Sequence, residues 1–186
     1  KFNDIYEDNK KSKISINKKD KILCAKIRKG HFEGVLDVMN RLTKIINPDK
    51  IFMGEKDFQQ LYLVKNFLKK RYKTKVISCR TIRGKNKIAL SSRNFLLNSS
   101  NLNLAGKIYK KLKNIKKKIN NKNDISDYLT YSKKKLEISL KIKIDYLELR
   151  NIKNLKISKT KKNSRLFIAY YLNNVRLIDN FWFYKK

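Results

Sequence analysis

The polar run Gly54-Glu55-Lys56-Asp57 follows the apolar Ile51-Phe52-Met53; after it come Phe58, the two glutamines Gln59 and Gln60, and a return to apolar residues up to Val64. A glycine where an apolar strand ends lets a ligand come close to the backbone. Asp57 and Gln60 have the spacing of a helix N-cap and the third helical residue, which predicts a capping box. That leaves Glu55 and Lys56 unexplained. A helix N-terminus favours anions, and a lysine beside it favours a phosphate site over a plain cap. Cap and cradle are compatible, since the cap would orient Asp57 and Gln60 while Gly54 and Lys56 face the ligand. A second knot is Leu90-Ser91-Ser92-Arg93-Asn94. Two hydroxyls and a guanidinium can clamp phosphate oxygens through charge-assisted hydrogen bonds, and the same residues can make an ordinary turn before a helix. A third, Arg28-Lys29-Gly30-His31-Phe32-Glu33-Gly34, holds the single histidine. With no second histidine and no carboxylate cluster, metal binding and a Ser-His-Asp triad are discarded.

These knots need elements to hold them. Val35, Met39, Leu42 and Ile46 recur at steps of 4, 3 and 4, which predicts one apolar face of a helix over 32–46, ended by Asn47-Pro48-Asp49-Lys50. Ile51–Met53 and Lys75–Cys79 read as strands, Phe58–Leu68 as a helix, and Ile14–Ile16 as a short alternating strand; residues 1–13 are polar and irregular. Helix, strand, helix, strand at this spacing predicts a parallel sheet covered by helices. After Ile82 the pattern changes. Leu104, Ile108, Leu112, Ile115 and Ile119 predict a long helix, and Ile125, Leu129, Leu136 and Leu140 another. Ile142, Ile144 and Tyr146 alternate onto one strand face, followed by strands at 165–172 and 175–179. The fold class is therefore α/β in residues 1–82 and a small α+β domain in residues 83–186.

Bulk composition bounds the function less sharply. Hydrophobic residues make up 41% of the 186, enough for real cores, and no apolar run approaches the roughly 20 residues that span a bilayer. Cys24 and Cys79 are far apart and read as two free thiols of a reducing compartment. The net charge of +33 admits a polyanion partner, and a basic RNA- or ribosome-associated module is the alternative function. Abundant Lys, Asn and Ile beside 5 Gly and 1 Pro also fit a bias toward AT-rich codons, and the lysines are spread over nearly the whole chain. The runs at 110–118 and 158–163 read as solvated surface.

In their order and spacing, Arg28–Val35, Gly54–Leu61 and Ala89–Asn94 resemble the motifs of the pantothenate synthetase (pantoate–β-alanine ligase) family. Members read R-P-G-H-F-x-G-V, then G-E-K-D-[FY]-Q-Q, then Ser-Ser-Arg-Asn, with an Arg-Leu-Ile-Asp-Asn ending matched here by Arg176–Asn180. The resemblance implies ATP-dependent joining of pantoate and β-alanine through a pantoyl adenylate, with ATP and Mg²⁺ as cofactors. It implies a Rossmann-like nucleotidyltransferase domain, here its second half, and a small C-terminal domain that closes over the nucleotide. Gly54, Lys56 and Asp57 would contact ATP, Gln60 would bind pantoate, and Ser91, Ser92 and Arg93 would hold the triphosphate. Lys56 and Arg93 would carry the catalytic charge, Arg28 and His31 would be accessory or structural, and no protein-held metal is implied. The partners implied are small molecules, with no specific nucleic acid and no membrane, a cytoplasmic location, and a homodimer for the complete protein.

The sequence departs from the family in two ways. Lys29 stands where Pro is usual, and the Pro-Thr-Met-Gly and His-x-Gly-His segments have no counterpart. The expectation is a C-terminal portion of a longer protein, inactive by itself, with a sheet edge exposed to aggregation.

Overall fold

The computed structural model describes residues 5–6, 14–119 and 124–183. Apart from Ile5 and Tyr6, residues 1–13 lie outside the described set, as does the link 120–123. The chain divides into two compact units, Lys1–Arg80 and Thr81–Lys186.

In the first unit a four-residue helix α1 (Cys24–Ile27) leads to α2 (His31–Ile46), β1 (Lys50–Gly54), α3 (Phe58–Lys69) and β2 (Lys75–Cys79). The strands pair in parallel, Ile51 opposite Val76 and Phe52 opposite Ile77, so β1-α3-β2 is a crossover unit. Gly30 begins α2 at φ 76°, a left-handed conformation that suits glycine, and Asn47 ends it at φ 47°. The helix forms where expected, but on a rotated face. Phe32, Leu36 and Thr43 are its buried residues together with Asp37, whereas Ile46 is 64% exposed and Val35, Met39 and Leu42 are only half-buried. The buried face carries the polar Asp37 and Thr43 beside Phe32 and Leu36, so apolar periodicity alone does not mark it. Ile14–Ile16 keeps an alternating burial but forms no strand, because no described neighbour offers it a ladder.

In the second unit α4 (Ser99–Lys118) and α5 (Ile125–Leu140) pack on an antiparallel sheet of β3 (Ile144–Asn151), β4 (Ser164–Leu172) and β5 (Val175–Trp182), in the order β3-β4-β5. Ile108, Leu112, Ile115, Leu129 and Leu136 meet Leu147, Leu149, Leu166, Ile168 and Phe181 in one core. Ile144, Leu147 and Leu149 belong to that core and Tyr146 does not; a bulge between Ile144 and Tyr146 shifts the register and breaks the simple alternation expected from sequence. Gly106 lets the 84–88 loop settle on α4: a Cβ there would lie 3.1 Å from the Asn86 carbonyl oxygen. The expected fold class holds, α/β in the first unit and α+β in the second.

Candidate functional site

The first unit carries the Gly54–Gln60 knot where β1 runs into α3. Gly54 is extended (φ −69°, ψ 133°), so its backbone does not require glycine. A Cβ there would meet nothing within 4 Å among the described residues, leaving open space over the strand end. Glu55–Asp57 form a single 3-10 turn. The Lys56 ammonium lies 3.8 Å from the Asp57 carboxylate, a long and loose pair.

The expected capping box is not made. Asp57 precedes α3 with ψ 53° and its side chain accepts no cap hydrogen bond. Asn98 (ψ 170°) and Asp124 (ψ 110°) do cap, accepting from the amides of Asn101 at 2.9 Å and Asp127 at 3.0 Å. A capping side chain needs an extended backbone to turn back over the first turn, and the 3-10 turn holds Asp57 out of that conformation. Its carboxylate, half exposed, is left outside the helix hydrogen bonds.

The two glutamines divide their work. Gln59 is buried and saturated: its Oε1 accepts from the Cys24 amide at 3.0 Å, and its Nε2 donates to the carbonyls of Asp20 at 3.1 Å and Ile22 at 2.8 Å. Gln60 is half-buried, and its carboxamide makes no hydrogen bond among the described residues. The segment stapled by Gln59 continues through α1 to half-buried Arg28, whose carbonyl accepts from the His31 amide at 3.3 Å. His31 opens α2 with its ring tilted on that of Phe32, centroids 5.0 Å apart.

The second unit carries the serine knot. Ser91 accepts from the Arg93 amide at 3.3 Å and starts a 3-10 turn over Ser92–Leu96, so the turn and the clamp coexist in one element. Arg93 Nη1 donates to the Arg176 carbonyl at 2.8 Å. That bond joins the serine knot to the Arg176–Asn180 motif on β5, 83 residues further along. Arg176 Nε in turn donates to Asp145 at 2.7 Å. Arg93 is therefore a guanidinium with one arm tethered, while the Ser92 side of the turn is exposed. Below it, Arg83 makes a two-pronged pair with Asp179 at 2.7 and 2.8 Å and lies over the rings of Tyr109 and Phe181. Burial first, and then the Asp179 charge, push the Tyr170 hydroxyl well above the usual tyrosine range, with Arg83 partly opposing.

Arg83, Asp145 and Gln59 were not singled out by the sequence. Arg83 and Asp179 are 96 residues apart, and nothing local marks either as a partner. Arg176 and Asp179 belong to a family motif but had no role assigned by it. Among the described residues no group of three or more His, Cys, Asp or Glu could hold a metal ion, and no helix is long and apolar enough to cross a membrane.

A family model for pantoate-beta-alanine ligase matches residues 1–182. The chain belongs to that family. It is 35% identical over 184 residues to the pantothenate synthetase of Flavobacterium psychrophilum, covering 95% of this chain and 64% of that protein. It is 39% identical over 170 residues to that of Buchnera aphidicola, covering 90% and 60%. Among solved structures, the family member from Francisella tularensis, complexed with beta-gamma ATP and beta-alanine, is 34% identical with a TM-score of 0.76, covering 99% of this chain and 63% of its own. The pantothenate synthetase of Thermus thermophilus shares the fold with a TM-score of 0.87 at 24% identity, covering 100% and 68%. The chain thus spans under two thirds of the length of the curated relatives named.

Proposed function

We propose that these residues serve ATP-dependent ligation of pantoate and β-alanine to pantothenate. The pantoate carboxylate attacks the α-phosphorus of ATP, forming an acyl–O–P bond as the bond to the β-phosphate breaks and pyrophosphate leaves. The amine of β-alanine then attacks the acyl carbon, gives up a proton, and expels AMP. Neither step needs a nucleophilic side chain. What the protein must supply is position and positive charge on the phosphoryl oxygens. Lys56 and Arg93 fill that role, with Gly54 and Asp57 contacting ATP, Ser91 and Ser92 holding its phosphates, and Gln60 binding pantoate. Mg²⁺ arrives with the triphosphate as part of the substrate, in keeping with a metal that is usually held by phosphates and only one or two carboxylates. A cytoplasmic protein with small-molecule partners, and a homodimer for the complete protein, go with this function. The division is taken at 1–82 for nucleotide and pantoate binding and 83–186 for the lid.

The observation that supports this most is the split of the glutamine pair. Gln59 is consumed by the fold, and Gln60 keeps a polar group ready beside Lys56 and Asp57. The test is pantothenate formation, together with calorimetric binding of ATP and of pantoate. The 186 residues contain one histidine, so a His-x-Gly-His pair is not among them, and by themselves they are expected to turn over far below ordinary enzyme rates. In a protein that carries them and does turn over, Lys56→Ala lowers the rate on the order of 10²–10³-fold, the usual loss of one electrostatic donor. A loss below about threefold would remove Lys56 from the reaction.

A further inference from the structure

We infer that Gln59 is a positioning residue: its carboxamide fixes the backbone of residues 20–24 and thereby sets where Arg28 and His31 stand relative to the first turn of α3. Its functional meaning rests on the proposed roles of Gln60, Arg28 and His31; its structural content does not. Three bonds reach three alternate residues of one short segment, the carbonyls of Asp20 and Ile22 and the amide of Cys24. Between the last two, Leu23 is held at φ 48°, ψ −122°, a conformation that favours glycine. A leucine stays there only where its surroundings over-determine it. Its side chain is 4% exposed, so packing holds one side, and Gln59 grips the peptides on both flanks. The segment's own polar side chain gives no such support, since Asp20 Oδ1 is buried and finds no partner among the described residues. From Cys24 a single helical turn leads to Arg28, and left-handed Gly30 then starts α2 at His31. A shift at Cys24 therefore passes to both residues through a chain with little slack. Gln59 and Gln60 are neighbours on one helix, so a single turn both fixes the arm and presents a carboxamide that is unbonded among the described residues.

The single histidine and two cysteines provide the probes. In a Cys79→Ser background, alkylation of buried Cys24 reports opening of the segment, and the C2–H proton resonance of His31 reports its placement in the folded state. Gln59→Ala and Gln59→Glu are expected to raise Cys24 alkylation about tenfold or more, as the loss of two or three hydrogen bonds implies. Both are expected to displace the His31 resonance, which a uniform loss of stability would leave in place. Gln60→Ala should change neither. Alkylation within about twofold of the parent, with the His31 resonance unmoved, overturns the inference. Should neither variant fold, the unaltered chain decides: the Gln59 amide protons must exchange about tenfold or more slowly than those of Gln60, and equal rates overturn it. If these outcomes appear but a longer protein that carries these residues together with a His-x-Gly-His segment binds neither ATP nor pantoate, the proposed function fails and the positioning role stands.

Discussion

The two sheets of this protein are opposites. In β4 of the second unit every residue but Tyr171 is buried, and the strand lies between two partners under two helices. In β1 of the first unit no residue is fully buried, Phe52 is 67% exposed, and the strand has a single described neighbour. An antiparallel sheet with one helical layer closes a core inside 106 residues, counted from Thr81 to Lys186. Two parallel strands cannot, since one face of such a pair is covered by the crossover helix and the other is not. Stability in the second unit should therefore be set by its buried groups, and in the first by the helices and by the polar staple at Gln59.

The sharpest way to break this contrast is the Arg83–Asp179 pair. Removing either partner leaves a charge in a mostly buried place, so Arg83→Ala or Asp179→Ala should destabilise the second unit by about 3–5 kcal/mol. Denaturant unfolding followed by Trp182 fluorescence measures it, because the only tryptophan lies in that unit. A cost under about 1 kcal/mol would mean the pair is a surface pair. Next, Ile168→Ala, at 0% exposure, should cost about 2–5 kcal/mol, whereas Phe52→Ala should cost about 0.5 kcal/mol or less in its own unit. Equal costs would erase the distinction between the two sheets.

Alkaline pH supplies a smaller effect. The folded Tyr170 pKa is raised above 10, so at pH above 10 the unfolded chain releases a proton that the folded chain keeps. That stabilisation is complete below pH 10 and is lost as pH rises beyond it, at about 1.4 kcal/mol per pH unit for one proton. Tyr170→Phe should flatten the slope seen by Trp182; an unchanged slope would assign it to another group. The smallest effect separates the helix caps. Asn98→Ala and Asp124→Ala should each cost about 1 kcal/mol, while Asp57→Ala should leave stability within about 0.5 kcal/mol. A full cap penalty at Asp57 would reinstate the capping box.

Much of this architecture was legible in the sequence. The helix with Ile125, Leu129, Leu136 and Leu140 on one side begins and ends where its period does, and Lys75–Cys79 is a strand to the residue. Both depend on local patterns of apolar side chains, which any chain must bury in the same periodic way. The rotated face of α2 was not legible, because half of its buried residues, Asp37 and Thr43, are polar and only the neighbours of the helix bury them. Nor was the bulge in β3, which exists only against β4.

The sequence by itself determined the family and the segments that carry its chemistry, since short motifs of fixed spacing are written in consecutive residues. Tertiary structure alone decided what each polar side chain does there. Gln59 and Gln60 are identical in type and adjacent, yet one is saturated by a segment more than 30 residues away and the other keeps its carboxamide unbonded among the described residues. Asp57 has the sequence of a cap and the backbone of a turn. Arg93 and Arg176 belong to separate motifs until a hydrogen bond joins them. A donor's partner is set by where the folded backbone places an acceptor within about 3 Å, and that distance is not encoded by spacing along the chain.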